Sequence, residues 1–240
     1  ETKPKDGLMQ SFLKDISRFY GTGEKNAKGQ TLEEFLREYD PYKYETPSCT
    51  TDAVIFACPG KPDGSLEGLK VLLIRRGNHP SIGLWALPGG FINLRENLED
   101  TAMRELEEET GVKGVVMEQI ATYGDYDRDP RSRVITTAYM ALVDERDVSV
   151  KAGDDAADAV WCGVSLECLK SVQKDGRVWN TYSLKVENEE RNLKTEALVK
   201  EEEGCGLIRD KKFKVIQPGL IAVDHAAIIV QALALLKKRL

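Results

Sequence analysis

The 240-residue sequence lacks a long apolar run and closely paired cysteines, and it has only two histidines. Its richest apolar stretch, Ala226 to Leu236, is too short and too alanine-rich to span a bilayer. The five scattered cysteines indicate reduced thiols in a cytoplasmic protein. The histidines are far apart and no Gly-x-Ser-x-Gly elbow is present, which disfavours a serine or cysteine hydrolase.

An excess of positive charge is also missing. The chain has 34 Lys and Arg against 40 Asp and Glu, a net charge of −6, so no overall field draws it to nucleic acid or anionic lipid. Neither nucleic acid nor a membrane is therefore an expected partner. Any phosphate must be held by a local arrangement or by a metal.

The pattern of the chain predicts an extension followed by a larger domain. Residues 1–46 carry two helical patterns, Leu8 to Tyr20 and Thr31 to Tyr39, with a polar loop between them. The domain covers residues 47–240 and starts with β-rich runs bounded by turn residues. These runs are Asp52 to Cys58, Leu69 to Arg75, Val115 to Tyr123, Arg133 to Val143 and Ala159 to Gly163.

Residues 166–240 predict a hairpin and a final helix packed on this domain. Thr181 to Val186 and Leu193 to Val199 are the hairpin strands. Asp224 opens an Ala/Leu-rich helix whose basic end suits the helix dipole.

One helix within the domain has clear ends. Asn97 can cap it with Asp100 at the third position, Leu98 to Thr110 contain no breaker, and Gly111 supplies a left-handed stop.

Three carboxylates of this helix, Glu105, Glu108 and Glu109, stand at i, i+3 and i+4 and share one face. Like charges so placed repel unless a cation lies between them. Ala102 falls on the same arc, so we expect this face to point inward, with Glu107 solvated on the other side. A solvated acidic face is the alternative. Carboxylate oxygens suit Mg²⁺, and also Mn²⁺, which indicates chemistry on a phosphate.

Residues 90–112 resemble the Nudix box. Gly90 is followed after five residues by Glu96, and seven more lead to the run Arg104 to Val112. With its flanking strands, the resemblance covers about residues 50 to 165. It implies an α/β fold, a Nudix-type α/β/α sandwich with a mixed sheet, whose loop-helix-loop carries a metal site.

The resemblance also implies roles for individual residues. Glu108 and Glu109 would be metal ligands, and Glu105 a further ligand or the base that activates water. Gly89 would offer its carbonyl oxygen to the metal. Arg104 would orient the carboxylates, with a surface salt bridge as the alternative.

The segment Tyr123 to Arg133 crowds three arginines into a turn-rich loop. It is similar to a stretch common in ADP-ribose pyrophosphatase-like Nudix proteins, although Tyr126 stands where proline is usual and Ser132 where glycine is usual. Arg128 or Arg131 could hold a diphosphate or a ribose phosphate. A solvated turn is the alternative.

Weaker candidates surround this loop. Arg75 and Arg76, at the end of a strand, could contact phosphate. Adenine could stack on Phe91, Tyr123 or Tyr126, although a strand aromatic is more often part of a core. Asp155 resembles the acidic loop that brings another carboxylate to the metals in related enzymes, with a solvated loop as the alternative.

Together these features predict a magnesium-dependent hydrolase of a nucleoside diphosphate linked to another group, with ADP-ribose as first choice and AMP and ribose 5-phosphate as products. NADH, a nucleotide sugar or an oxidised nucleoside triphosphate are alternative substrates. A Nudix-related, ADP-ribose-sensing repressor is the other alternative. Such repressors place a winged helix after a segment resembling Ala222 to Ala226, whereas this sequence stops within one helix of it, so we expect no sequence-specific DNA binding. A homodimer stays open.

Overall fold

The computed structural model describes residues 12–60, 66–152, 156–207 and 209–239. Contacts divide the chain into two compact units, Glu1–Thr46 and Pro47–Leu240. Among the described residues, no helix is long and apolar enough to cross a bilayer.

The first unit contains one short α-helix in its described part. This helix, α1 (Leu32–Glu38), begins at a capping box formed by Thr31 and Glu34, in the stretch where a helix is predicted. The prediction of a helix from Leu8 to Tyr20 is wrong where it can be compared, because residues 12–20 form only a 3-10 turn, Ser17–Phe19. Neither element buries a residue, so no apolar packing stabilises a longer helix.

The described part of the second unit contains ten strands and two α-helices. The strands are β1 (Ser48–Cys58), β2 (Lys70–Arg76), β3 (Trp85–Ala86), β4 (Gly89–Phe91), β5 (Glu118–Tyr123), β6 (Val134–Asp144), β7 (Ala156–Lys174), β8 (Arg177–Asn188), β9 (Leu193–Gly204) and β10 (Lys211–Gln217). The helices are α2 (Leu98–Thr110) and α3 (His225–Lys237), and a 3-10 turn covers Glu145–Asp147.

All ten strands belong to one sheet. Its order is β10-β9-β8-β7-β2-β1-β6-β5, with β3 beside β2 and β4 beside β1. The β1 and β6 strands run parallel, whereas the other pairs are antiparallel. The sheet is therefore mixed, as predicted.

The central strand β1 separates two layers of core, because successive side chains of a strand point to opposite faces. Val54 and Phe56 pack in the cluster that contains the apolar residues of α3. Ala53 and Ile55 pack on the other face, against Leu106 of α2. Helices thus cover both faces of a mixed sheet, which confirms the α/β/α sandwich.

The strand β5 begins three residues later than predicted, at Glu118, whereas β7, β8 and β9 are longer than predicted. The run Ala159 to Gly163 lies within β7, which continues to Lys174. The hairpin of β8 and β9 is confirmed, but β8 extends further at both ends, and β9 begins at Leu193 as predicted and continues to Gly204. The sequence pattern did not predict β10, because its residues alternate between half-buried and exposed and its lysines mask the apolar signal of Phe213 and Val215.

Helix α2 has the predicted ends. It covers Leu98–Thr110, and Gly111 adopts the left-handed conformation with a φ of 71°. The predicted capping bond is wrong in one respect: the Asn97 side chain donates to the Asp100 carboxylate at 3.0 Å and does not bond a backbone N–H.

Candidate active site

The carboxylates of α2 point in two directions. Glu105 and Glu109 are half-buried beside the fully buried Ala102. Glu107 is exposed and pairs with Lys113 at 2.6 Å, as expected for the solvated side. The inward orientation predicted for Glu108 is wrong, since 58% of its side chain is exposed. One residue along a helix turns the side chain through more than a quarter of a circle, which separates Glu108 from Glu109.

Arg104 holds the two sides of this carboxylate group together. Its guanidinium donates to both oxygens of Glu96, at 2.9 and 3.0 Å, and also to Glu105 at 2.6 Å and Glu108 at 2.9 Å. It also donates to the Phe91 carbonyl at 3.1 Å. The Arg104 guanidinium lowers the pKa of Glu96 to about 2. Arg104 thereby ties the loop before the helix to the carboxylates on it.

Glu109 is the most enclosed carboxylate of the group. Its Oε2 accepts the Gly89 N–H at 2.9 Å, and among the described residues no Lys or Arg forms an ion pair with it. Burial, reinforced by the charges of Glu105 and Asp52, raises the pKa of Glu109 to about 8. Burial also raises the pKa of Glu105, against the opposing effect of Arg104. Full ionisation of these inward carboxyl groups therefore requires a further counter-charge.

The first two residues of β4, Gly89 and Gly90, must be glycines because other groups approach their backbone closely. A Cβ at Gly89 would overlap the Thr51 backbone carbonyl, and a Cβ at Gly90 would overlap the carboxylate of Glu105. Gly90 thus leaves the space that the Glu105 carboxylate uses, directly beside the backbone of β4.

This arrangement fits a hard divalent cation by its donor chemistry. Oxygen donors from Glu105 and Glu109 lie beside the backbone of Gly89 and Gly90, in a cradle that a Cβ would fill. Within the described ranges, however, no three His, Cys, Asp or Glu side chains converge in a ready-made metal cluster. Arg104 accounts for part of this, since it occupies one oxygen each of Glu105 and Glu108.

The inward carboxylates line a cleft of about 510 Å³, a size typical of small-molecule sites. Seven of the residues predicted for the site line it: Gly89, Phe91, Arg104, Glu105, Glu109, Arg128 and Arg131. The cleft thus brings the carboxylate helix and the arginine-rich loop to one space, as a phosphate-cleaving site requires.

The two arginines predicted to bind phosphate differ in availability. Arg128 is only 8% exposed, and its guanidinium donates two bonds of 2.9 Å to Asp224. Arg131 is 47% exposed, pairs with Asp129 at 2.8 Å, and its guanidinium carbon lies 5.2 Å from the centre of the Phe91 ring. Arg131 can turn towards a ligand, whereas Arg128 already has a buried counter-charge.

Three other predicted residues, Tyr126, Glu108 and Arg75, are not brought to the cleft. Tyr126 is 81% exposed, and neither it nor Glu108 lines the cleft. Arg75 donates to the Gly83 carbonyl at 3.3 Å, while its neighbour Arg76 takes the place in the lining. Asp155 lies outside the described residues.

The comparisons with known proteins agree with this geometry. The family model of the NUDIX domain matches residues 50–180. The chain belongs to the Nudix family. A MutT/nudix family protein from Enterococcus faecalis of known structure shares 30% identity with a TM-score of 0.61, over 87% of this chain and 70% of that one.

Two curated relatives place the chain near the ADP-ribose pyrophosphatase-like branch of the Nudix family. It is 43% identical over 98 residues to the ADP-ribose pyrophosphatase of Methanocaldococcus jannaschii, which is 40% of this chain and 57% of that protein. It is 40% identical over 111 residues to the ADPR responsive transcriptional repressor NtrR of Acinetobacter baylyi, which is 45% of this chain and 42% of that protein. The chain spans about half the length of these relatives.

A second wall of the cleft, beside the Nudix box, contains residues that the sequence did not predict. Asp52 of β1 is 7% exposed and accepts the Thr136 hydroxyl at 2.7 Å. Its carboxylate lies 3.7 Å from Arg128 and 3.9 Å from the Nε2 atom of His225. A carboxylate directly before the apolar run of β1 is the signal that could have pointed to Asp52.

Proposed function

We propose that this Nudix protein is a magnesium-dependent hydrolase that converts ADP-ribose to AMP and ribose 5-phosphate. The observation that carries the proposal is the cleft itself. It brings Glu105 and Glu109 into the same space as Arg131 and Phe91, which combines oxygen ligands for a cation with groups suited to phosphate and to a nucleobase.

The metal would be held by the Nudix box. Glu108, Glu109 and the Gly89 carbonyl are the proposed ligands of Mg²⁺, with Mn²⁺ as a substitute, and Glu105 is a further ligand or the base. A bound divalent cation would activate water and neutralise charge on the leaving phosphate. Glu108 would have to turn inward from its exposed position to contribute.

Arg104 would orient these carboxylates. It already contacts Glu105 and Glu108 while its other edge is held by Glu96, so it limits the directions in which their oxygens can point. The burial that raises the pKa of Glu109 and Glu105 also supports a cation here, because positive charge favours the ionised carboxylates.

Arg131 would bind the diphosphate or the terminal ribose phosphate. Its guanidinium lies in the cleft, and the Phe91 ring beneath it offers a face for adenine. Arg128 is a further proposed phosphate contact. To bind substrate it would have to give up one of its two hydrogen bonds to Asp224. Tyr126 and Arg75 would have to turn from their present positions to take part. Asp155, which lies outside the described residues, stays a proposed further carboxylate.

The similarity to an ADP-ribose pyrophosphatase supports this choice of substrate. The similarity to an ADPR responsive repressor supports the same ligand but favours a second function, binding of ADP-ribose without turnover. Each relative is matched over only part of its length, so the chemistry of this cleft has to be measured directly.

The test is turnover of a nucleotide panel with Mg²⁺: ADP-ribose, NADH, nucleotide sugars and nucleoside triphosphates, including oxidised ones, with chromatography of the products. We expect AMP and ribose 5-phosphate from ADP-ribose at the highest kcat/KM. Markedly faster turnover of another compound would overturn the choice of substrate. Tight binding of ADP-ribose without AMP formation would favour the sensor.

A further inference from the structure

The segment Trp85 to Gly90, which leads into the Nudix box, is hydrogen-bonded on two sides. On one side Trp85 donates to the Leu220 carbonyl at 3.0 Å, and the Trp85 carbonyl accepts from Ala222 at 2.7 Å. On the other side Ala53 of β1 donates to the Pro88 carbonyl at 2.8 Å. The residues before α3 thus act as an added strand beside this segment.

One side chain completes this ladder. The Leu87 N–H donates to Nδ1 of His225 at 2.8 Å, in a buried bond between residues 138 positions apart. Two residues further, the Gly89 N–H donates to Glu109 at 2.9 Å. A continuous path of short contacts therefore joins the first residue of α3 to the innermost carboxylate of the box.

His225 is itself held in place. Its side chain is 10% exposed, and the preceding residue, Asp224, is bound by both arms of Arg128. Because Nδ1 accepts a hydrogen bond, the proton of the neutral ring is on Nε2, which points towards Asp52 at 3.9 Å. Neighbours thus set both the orientation and the tautomer of the imidazole.

We infer that His225 is a positioning residue, whose Nδ1 fixes through Leu87 the place of Gly89 relative to Glu109. The inference rests on the proposed function for its catalytic meaning, since Gly89 and Glu109 are the proposed metal ligands. Its structural content, the coupling of His225 to Gly89, can be measured without metal or nucleotide.

The experiment is amide hydrogen exchange at Leu87 and Gly89 in metal-free protein, by NMR, for the wild type and variants of His225. In His225→Ala we expect exchange about fivefold faster or more at both amides, because loss of a buried acceptor frees the segment. His225→Asn can place its Oδ1 where Nδ1 lies, so we expect it to keep most of the protection. His225→Gln places its amide further out and should not.

A purely local role predicts a different result. If His225→Ala changes exchange at Leu87 but leaves Gly89 as in the wild type, the positioning role is overturned. If His225→Ala fails to fold, the two amide variants are compared instead. Equal exchange rates of the Gly89 amide in His225→Asn and His225→Gln would then overturn the positioning role as well. His79→Ala removes the other imidazole of the chain and should leave both amides unchanged.

Mn²⁺ binding by calorimetry, without nucleotide, supplies a second readout. We expect His225→Ala to weaken Mn²⁺ affinity about 10-fold, as is typical for residues that orient metal ligands, and His225→Asn to recover most of it. Unchanged Mn²⁺ affinity in folded His225→Ala would contradict the inference. Failure of the wild type to hydrolyse ADP-ribose, with the exchange results as expected, would count against the proposed function alone.

Discussion

The two walls of the cleft differ in how the chain builds them. The wall formed by the Nudix box comes from one stretch, in which the strand β4 and the helix α2 place the functional groups. The second wall combines Asp52 of β1, Arg128 of the loop after β5, and Asp224 and His225 at the start of α3. The functional residues of the first wall are close together in the sequence, whereas those of the second wall are brought together only by the fold.

The largest expected effect falls on the box wall. Replacing Glu109 by Gln keeps the size of the side chain and removes its charge, so we expect ADP-ribose turnover to fall about 100-fold or more, roughly 3 kcal/mol. Glu108→Gln should behave similarly if Glu108 turns inward. Steady-state kinetics at limiting Mg²⁺ are the measurement, with Glu107→Gln as the matched control. A folded Glu109→Gln protein with wild-type turnover would contradict the assignment of Glu109 as a metal ligand.

Substitutions in the second wall should mainly lower the stability of the protein. Arg128 is buried between Asp224 and Asp52, so Arg128→Ala leaves two carboxylates without their counter-charge and should lower the free energy of unfolding by about 3 kcal/mol. Urea denaturation measures this. Arg133→Ala, which removes a guanidinium that donates to backbone carbonyls of the same loop, is the control. Equal stability of the two variants would mean that the buried pair contributes little.

This contrast shows how far the sequence predicts the site. The box wall was predictable because breaker-free α2 ends at Gly111 and its carboxylates follow helical spacing. The helical spacing did not predict that the side chain of Glu108 would be exposed, where Arg104 binds it. On the other wall, Arg128 and Arg131 look alike in one loop, and only the position of Asp224, 96 residues further along, distinguishes them.

Substitutions at the adjacent glycines Gly89 and Gly90 should differ in effect, one lowering stability and the other lowering turnover. Gly89→Ala forces a Cβ against the Thr51 backbone, which cannot move easily, so we expect about 2 kcal/mol of destabilisation. Gly90→Ala meets the end of the Glu105 side chain, which can rotate away. It should keep nearly wild-type stability and lose about 10-fold in turnover. Thermal unfolding and kinetics on both variants measure this, and a larger stability loss in Gly90→Ala would contradict the packing argument.

The smallest expected effect is at Arg131. Its side chain is half-exposed, so Arg131→Ala should leave stability unchanged and lower kcat/KM for ADP-ribose about 10-fold, or roughly 1.4 kcal/mol. Metal affinity should hardly change. The same loss for a substrate without a diphosphate would show that Arg131 does not bind phosphate.

The central claim is that a metal at the Nudix box drives hydrolysis of ADP-ribose in this cleft. The most direct measurement is the rate of AMP formation as Mg²⁺ is titrated into chelator-treated wild-type protein with saturating ADP-ribose. The account predicts no AMP without added metal and a saturable rise with Mg²⁺, which Glu109→Gln shifts to higher concentration or abolishes. AMP formation that is independent of Mg²⁺, or no AMP at any Mg²⁺ concentration while ADP-ribose is bound, would contradict it.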